Sequence, residues 1–237
     1  MKTICMLSQR PGSTRAAFRD YYENSHSRLG SRYFPFRKYV RNHLVESSCA
    51  TDFDVLTEFY FVDDAAPGAL MAGPVGEIMS LDERKFMDQS LIRSALVQES
   101  LLAGPPRDVA APGTRRQMLM LNSGDGEDAS FVAAVSRWGT SLATLAGVAR
   151  VSLDIADLQW AGAPSRFPWR AVLSLWLSDG VGAPAIPQSP PGVRCDERLL
   201  VDVCESTPEL LAQLYRCLLY TSPSPRDRTR SRMPSSA

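Results

Sequence analysis

The chain has 237 residues, 44% of them hydrophobic, enough for one large domain or two of roughly 100 residues each, which excludes a disordered chain as the whole answer. Lysine plus arginine and aspartate plus glutamate both number 26, so no global field draws the protein to nucleic acid or to an anionic membrane surface. Five cysteines without a Cys-x-x-Cys pair, and only two histidines, His26 and His43, signal neither a zinc site nor a disulfide framework.

The periodicity predicts a strand at Thr3 to Ser8, a turn at Pro11-Gly12, and a helix capped by Ser13 or Thr14, with Phe18, Tyr21, Tyr22, Ser25 and Leu29 on one face. Strands follow at Tyr39 to Val45 and Phe53 to Val62, then a helical region from about Ala65 to Asp88 that Gly73-Pro74 breaks or kinks. Ala95 to Glu99 closes the unit as a strand. The order β-α-β-β-α-β is that of a ferredoxin-like unit.

After a Pro/Gly/Ala-rich linker at 105–114 the pattern starts again. Strands are expected at Gln117 to Asn122, Val148 to Ile155, Arg170 to Ser178 and Leu199 to Glu205, with an amphipathic helix at Ala129 to Leu145. Val203-Cys-Glu-Ser closes this half as Val97-Gln-Glu-Ser closes the first, so the halves read as diverged repeats, 1–104 and 115–216. Prolines 184, 187, 190 and 191 reduce the second helix of this half to a loop, and Glu209 to Arg216 is expected as a short helix packing across an end.

The Ser/Pro/Arg-rich stretch 217–237 cannot bury enough apolar surface to fold by itself. It resembles the translation of a sequencing adapter, so it is expected to be disordered and non-native and is excluded from fold reasoning. The N-terminus has too short an apolar run for a signal peptide, and nowhere do about 18 consecutive apolar residues occur. A soluble, cytoplasmic protein with no membrane partner is expected.

A lone four-stranded sheet of this type leaves one face bare. Two units in one chain supply that face to each other, so the sheets are expected to pack face to face as one pseudo-symmetric α+β barrel with its central cavity as the ligand site. Two independent beads are the alternative.

The first half resembles the EthD family of dimeric α+β barrel proteins. The residues are Pro11-Gly12, Phe18-Arg19-Asp20-Tyr21-Tyr22-Glu23-Asn24-x-His26-x-x-Leu29, Tyr39-Val40-Arg41-Asn42-His43, Phe53-Asp54-x-x-Thr57-Glu58-x-Tyr60-Phe61 and Asp82-Glu83-x-x-x-Phe86-Met87-Asp88. The second half keeps only the architecture: placing Phe131 on Phe18 puts Gly139 where His26 stands. The resemblance implies a cofactor-free site for a hydrophobic or aromatic small molecule. Relatives act as cyclases, dehydratases, decarboxylases or monooxygenase-like oxidoreductases, while others are accessory proteins.

His26 is the first catalytic candidate. It is expected near the C-terminal end of the first helix, where the dipole favours an imidazolium, with Tyr22 and Glu23 in reach on the helix surface. Capping the helix is the alternative. On the strands, Arg41 and His43 share one face and Asn42 the other, while Glu58 and Tyr60 oppose Thr57, Phe59 and Phe61. Glu58 and Tyr60 are expected to face the cavity, with Glu58 as a general acid or base because burial disfavours its charge; a surface pair with Arg41 is the alternative. Tyr22, Asn42, Tyr60 and Trp176 are the expected substrate contacts, although core packing also accounts for Trp176.

The acidic residues Asp82, Glu83 and Asp88 have no histidine nearby in sequence and read as a solvated face, so no metal is expected. No glycine-rich phosphate motif follows Gly12, Gly124 or Gly126. The function expected is cofactor-free proton transfer on a hydrophobic carbonyl or phenolic compound, with His26 as acid/base. A non-catalytic binding protein and an oxidoreductase are the alternatives, and a further homodimer is possible through outer sheet edges.

Overall fold

The computed structural model describes residues 1–62, 67–106, 110–111, 113–124, 128–157 and 165–215. Gly126 and the 217–237 tail, both singled out above, lie outside them.

The first half contains strands β1 (Lys2–Leu7), β2 (Phe36–Ser47), β3 (Val55–Phe61) and β4 (Arg93–Ala103). Its helices are α1 (Arg15–Tyr21), α2 (Ser27–Tyr33), α3 (Pro67–Met71) and α4 (Pro74–Glu83). Thr14 caps α1, its hydroxyl accepting from the Ala17 N–H at 3.2 Å, and Gly73 and Pro74 separate α3 from α4. The second half contains β5 (Arg115–Ser123), α5 (Asp128–Leu142), β6 (Val148–Asp157), β7 (Ala171–Leu177), β8 (Val193–Ser206) and α6 (Pro208–Leu214). Residues 178–192, between β7 and β8, form no helix.

The eight strands close into one antiparallel barrel in the order β1-β3-β2-β8-β5-β7-β6-β4. The halves therefore meet edge to edge at two hydrogen-bonded seams, β2 with β8 and β4 with β6. The expected single barrel forms, but its two sheets meet through paired edges rather than face to face: closure pairs every edge strand, which a sandwich would leave open.

Among the described residues, side chains occupy the barrel interior, as an eight-stranded barrel is just wide enough for its own side chains to fill it. One half of the interior is aliphatic, with Ile4, Met6, Leu56, Met118, Met120 and Val201 at its heart and Phe53, Phe167 and Trp169 at its end. The other half is ionic. Lys2 Nζ lies 2.7 Å from Asp154, 3.0 Å from Glu58 and 3.2 Å from Glu99. Arg116, fully buried, bonds Glu58, Asn42 (3.0 Å) and Ser174 (2.6 Å), and its guanidinium lies 4.0 Å from the Trp176 ring centroid.

Three carboxylates and two cations share this space, and only Glu58 touches both cations. Burial favours protonating Glu58, yet Arg116 and Lys2 overcome it and hold the carboxyl far below the usual range. Asp154 has Lys2 as its bonded cation, and burial pushes its carboxyl up to about 6 despite that ion pair. A raised carboxyl stabilises the fold fully below its unfolded value and loses that contribution as pH rises through the folded one. Below about pH 5 the lowered Glu58, Glu23 and Asp82 carboxyls act in the opposite sense, so stability should fall between about pH 5 and pH 6.5, by on the order of 1 kcal/mol from Asp154. Glu83, also raised by burial, adds to the same slope. Urea titrations across this range check it: Asp154→Asn should flatten most of the decline, and an unchanged slope would count against a protonated Asp154.

Candidate functional site

The open space lies on the other side of the barrel wall. A cavity of about 500 Å³ separates the outer face of the first-half strands from their helices. Alternation turns Thr3, Cys5 and Leu7 of β1, Tyr39 of β2, and Phe59 and Phe61 of β3 toward it, while His26, Gly30, Met71, Met79 and Glu83 come from the helical layer. Its sheet wall is aromatic: Phe36 stacks on Phe59 at 5.4 Å and Tyr39 on Phe59 at 5.1 Å between centroids. Such rings offer flat apolar faces to an aromatic ligand.

His26 reaches this cavity from the middle of a helical run. A π-helical turn, Tyr22–His26, links α1 to α2, with the Ser27 N–H donating to the Tyr22 carbonyl. Helix continues beyond His26 to Tyr33, so the expected helix terminus, and the dipole argument built on it, does not apply. The charge beside His26 comes instead from α4. Asp82 Oδ2 lies 2.9 Å from His26 Nδ1, and Asp82 Oδ1 accepts from the Tyr21 hydroxyl at 2.6 Å and from Lys85 Nζ at 3.0 Å. The His26 bond, followed by those from Tyr21 and Lys85, outweighs burial and holds the Asp82 carboxyl far below its ordinary value. An ionised Asp82 can only accept, so Nδ1 carries the proton, and in the neutral ring Nε2 holds the lone pair. Among the described residues Nε2 has no hydrogen-bond partner.

The acidic run is thus not a solvated face. Asp82 falls on the buried side of α4 with Val75 and Met79, and Phe86 continues the same spacing. Glu83 is half-buried at the cavity wall, accepting from Gln89 Nε2 at 2.7 Å, and burial raises its carboxyl. Only Asp88 behaves as surface, capping a short 3₁₀ turn through Ser90. The 75, 79, 82, 86 spacing is the sequence signal that marks Asp82. Cys5 also lines the cavity, but burial first and Glu83 second push its thiol up to about 12, which removes it as a nucleophile.

The barrel wall divides every other expected site residue but Tyr22 from His26. Tyr22 is on the helical side but fully buried, its hydroxyl bonded to Thr57 (2.8 Å) and Tyr39 (3.1 Å), and it packs against the His26 ring. Asn42, Glu58, Tyr60 and Trp176 point into the barrel, where Asn42 Nδ2 donates to Glu58 at 2.9 Å and the Tyr60 hydroxyl to Glu58 at 3.0 Å. Glu58 and Tyr60 therefore cannot orient His26, and an ionised, doubly paired Glu58 is no acid or base for the cavity. The alternative pair of Glu58 with Arg41 does not form either.

Arg41 points outward and with His43 grips Glu23, at 2.7 Å and 2.6 Å. Despite burial, His43 and Arg41 lower the Glu23 carboxyl to about 2, so Glu23 serves this pair rather than His26. In the second half, a Cβ at Gly139 would sit 2.5 Å from Leu102 and 2.8 Å from Leu173. There the helix backbone lies directly on the sheet, where the first half keeps its cavity.

Residues 10–90 match the family model of the EthD domain. They contain the π-helical turn, His26, Asp82 and Glu83. Among curated proteins no sequence match is found. Solved structures with the same fold include two at low sequence identity. One is a candidate monooxygenase from Fusobacterium nucleatum subsp. nucleatum, 9% identical, matched over 87% of this chain and 93% of that one with a TM-score of 0.55. The other is an anthrone oxidase-like protein, 11% identical, matched over 87% and 92% with a TM-score of 0.55.

Proposed function

We propose, on the premise of an EthD domain at residues 10–90, that the cavity under the helices takes a hydrophobic aromatic carbonyl or phenolic compound and that His26 Nε2 takes a proton from it without a cofactor. One observation carries this reading: His26 lines an apolar, aromatic-walled cavity with Nδ1 tied to Asp82 and, among the described residues, no partner on Nε2. A fixed tautomer beside an apolar cavity is what general base catalysis needs. The C–H or O–H bond breaks heterolytically, its proton goes to Nε2, and Asp82 offsets the charge that develops on the ring.

Oxidation is a second reading, supported by the names of the two structural neighbours. There the deprotonated substrate would pass its electrons to dioxygen, and oxygen uptake dependent on His26 would separate the two readings. The strand order β4-β1-β3-β2 in the first half and β8-β5-β7-β6 in the second supports reading the chain as two diverged ferredoxin-like copies joined by 105–114, with the site kept in the first.

Native mass spectrometry of the full chain tests the central claim. We expect His26→Gln, purified without denaturation, to retain a hydrophobic ligand unchanged, whereas the wild type carries its product or nothing. A ligand held equally by both would leave a binding protein and retire His26 as a base.

A further inference from the structure

We infer that Glu83 is the acid that works with His26: the cavity holds both, one to take a proton from carbon and the other to deliver one to an oxygen that leaves. The inference rests on the proton-transfer reading of the cavity. His26 comes from the turn between α1 and α2 and Glu83 from the last residue of α4, and both line the same apolar space. Asp82, one residue before Glu83, faces the ring and spends its charge on Nδ1. Among the described residues Glu83 has no cation bonded to it; it accepts from the neutral amide of Gln89. Two neighbouring carboxyls are thus pushed in opposite directions, Asp82 down and Glu83 up, and such divergence separates acid from base at a shared site.

The substrate class this pair suits is a β-hydroxy aryl ketone, bound with its ring on the Phe36, Tyr39 and Phe59 wall. His26 Nε2 takes the proton alpha to the carbonyl. The C–H electron pair becomes the new C=C bond, the C–O bond breaks, and the departing oxygen takes the Glu83 proton to leave as water. The proton on His26 then returns Glu83 to its acid form through solvent. No oxidant or reductant enters the balance.

Two probes separate this inference from the reading beneath it. Dihydrochalcone has an exchangeable alpha proton and no leaving group, so its deuterium uptake in heavy water reports His26 alone. β-Hydroxydihydrochalcone releases chalcone, read by ultraviolet absorbance, and needs both groups. We expect wild type to catalyse both, His26→Gln neither, and Glu83→Gln to lose dehydration by about 10²-fold more than it loses deuterium exchange, with circular dichroism unchanged. Exchange without dehydration in the wild type, or dehydration by Glu83→Gln at the wild-type rate, would overturn the acid role and leave proton abstraction standing. No exchange by the wild type would sink the proton-transfer reading itself.

Discussion

Replacing Glu58 with alanine should destabilise the protein by about 3–5 kcal/mol, because it leaves the fully buried Arg116 guanidinium without its carboxylate. Lys2 would keep Asp154 and Glu99, so the loss falls mainly on Arg116, whose remaining partners are the neutral Asn42 and Ser174 and the Trp176 ring. That loss is a large share of the ordinary 5–15 kcal/mol of a domain, so urea denaturation is best followed at low temperature. The double replacement Glu58→Leu with Arg116→Met should recover most of it, since removing both charges also removes their desolvation cost. Proton exchange per folded molecule should not change in Glu58→Ala, because the barrel wall stands between Glu58 and the cavity. A loss under about 1 kcal/mol would mean that water or a rearranged Asp154 replaces the carboxylate.

Asp82→Asn should slow proton transfer by about 10²–10⁴-fold with KM within a few-fold of wild type. Asp82 is a positioning residue: it does not line the aromatic cavity, yet it decides which His26 nitrogen carries the proton. An asparagine amide can donate to Nδ1, which would move the ring proton to Nε2 and remove the lone pair from the cavity side. The split between kcat and KM is the diagnostic, because a role in packing alone would weaken binding and rate together. The pH–rate profile should also lose the limb that reports a base in the free enzyme. Equal falls in kcat and in affinity would reduce Asp82 to a structural contact.

Much of the architecture follows from local pattern. Thr14 as a cap, the break at Gly73-Pro74 and the opposite faces of Glu58 and Phe59 are each set by residues within a few positions of one another, through capping geometry, the missing proline N–H and the two-residue repeat of a strand. The site was legible only in part. His26 is visible as a histidine among aromatic residues, but its partner lies 56 residues away, and a carboxylate in an acidic run looks solvated until the 75, 79, 82, 86 spacing is read as one buried face. Glu58 faces the barrel interior as strand alternation predicts, but its charge state differs: burial by itself favours a protonated acid, and Lys2 and Arg116 reverse that from distant strands.

The sequence by itself determined the order of helices and strands and which side chains share a face, because both depend on periods of two and 3.6 residues along the chain. Tertiary structure alone decided which face meets empty space. Closing eight strands draws their inner side chains into contact and fills the barrel with aliphatic and ionic groups, while α2 to α4 stand off the outer face far enough to leave the cavity. That balance of volumes belongs to residues brought together from the whole chain, and no local period encodes it.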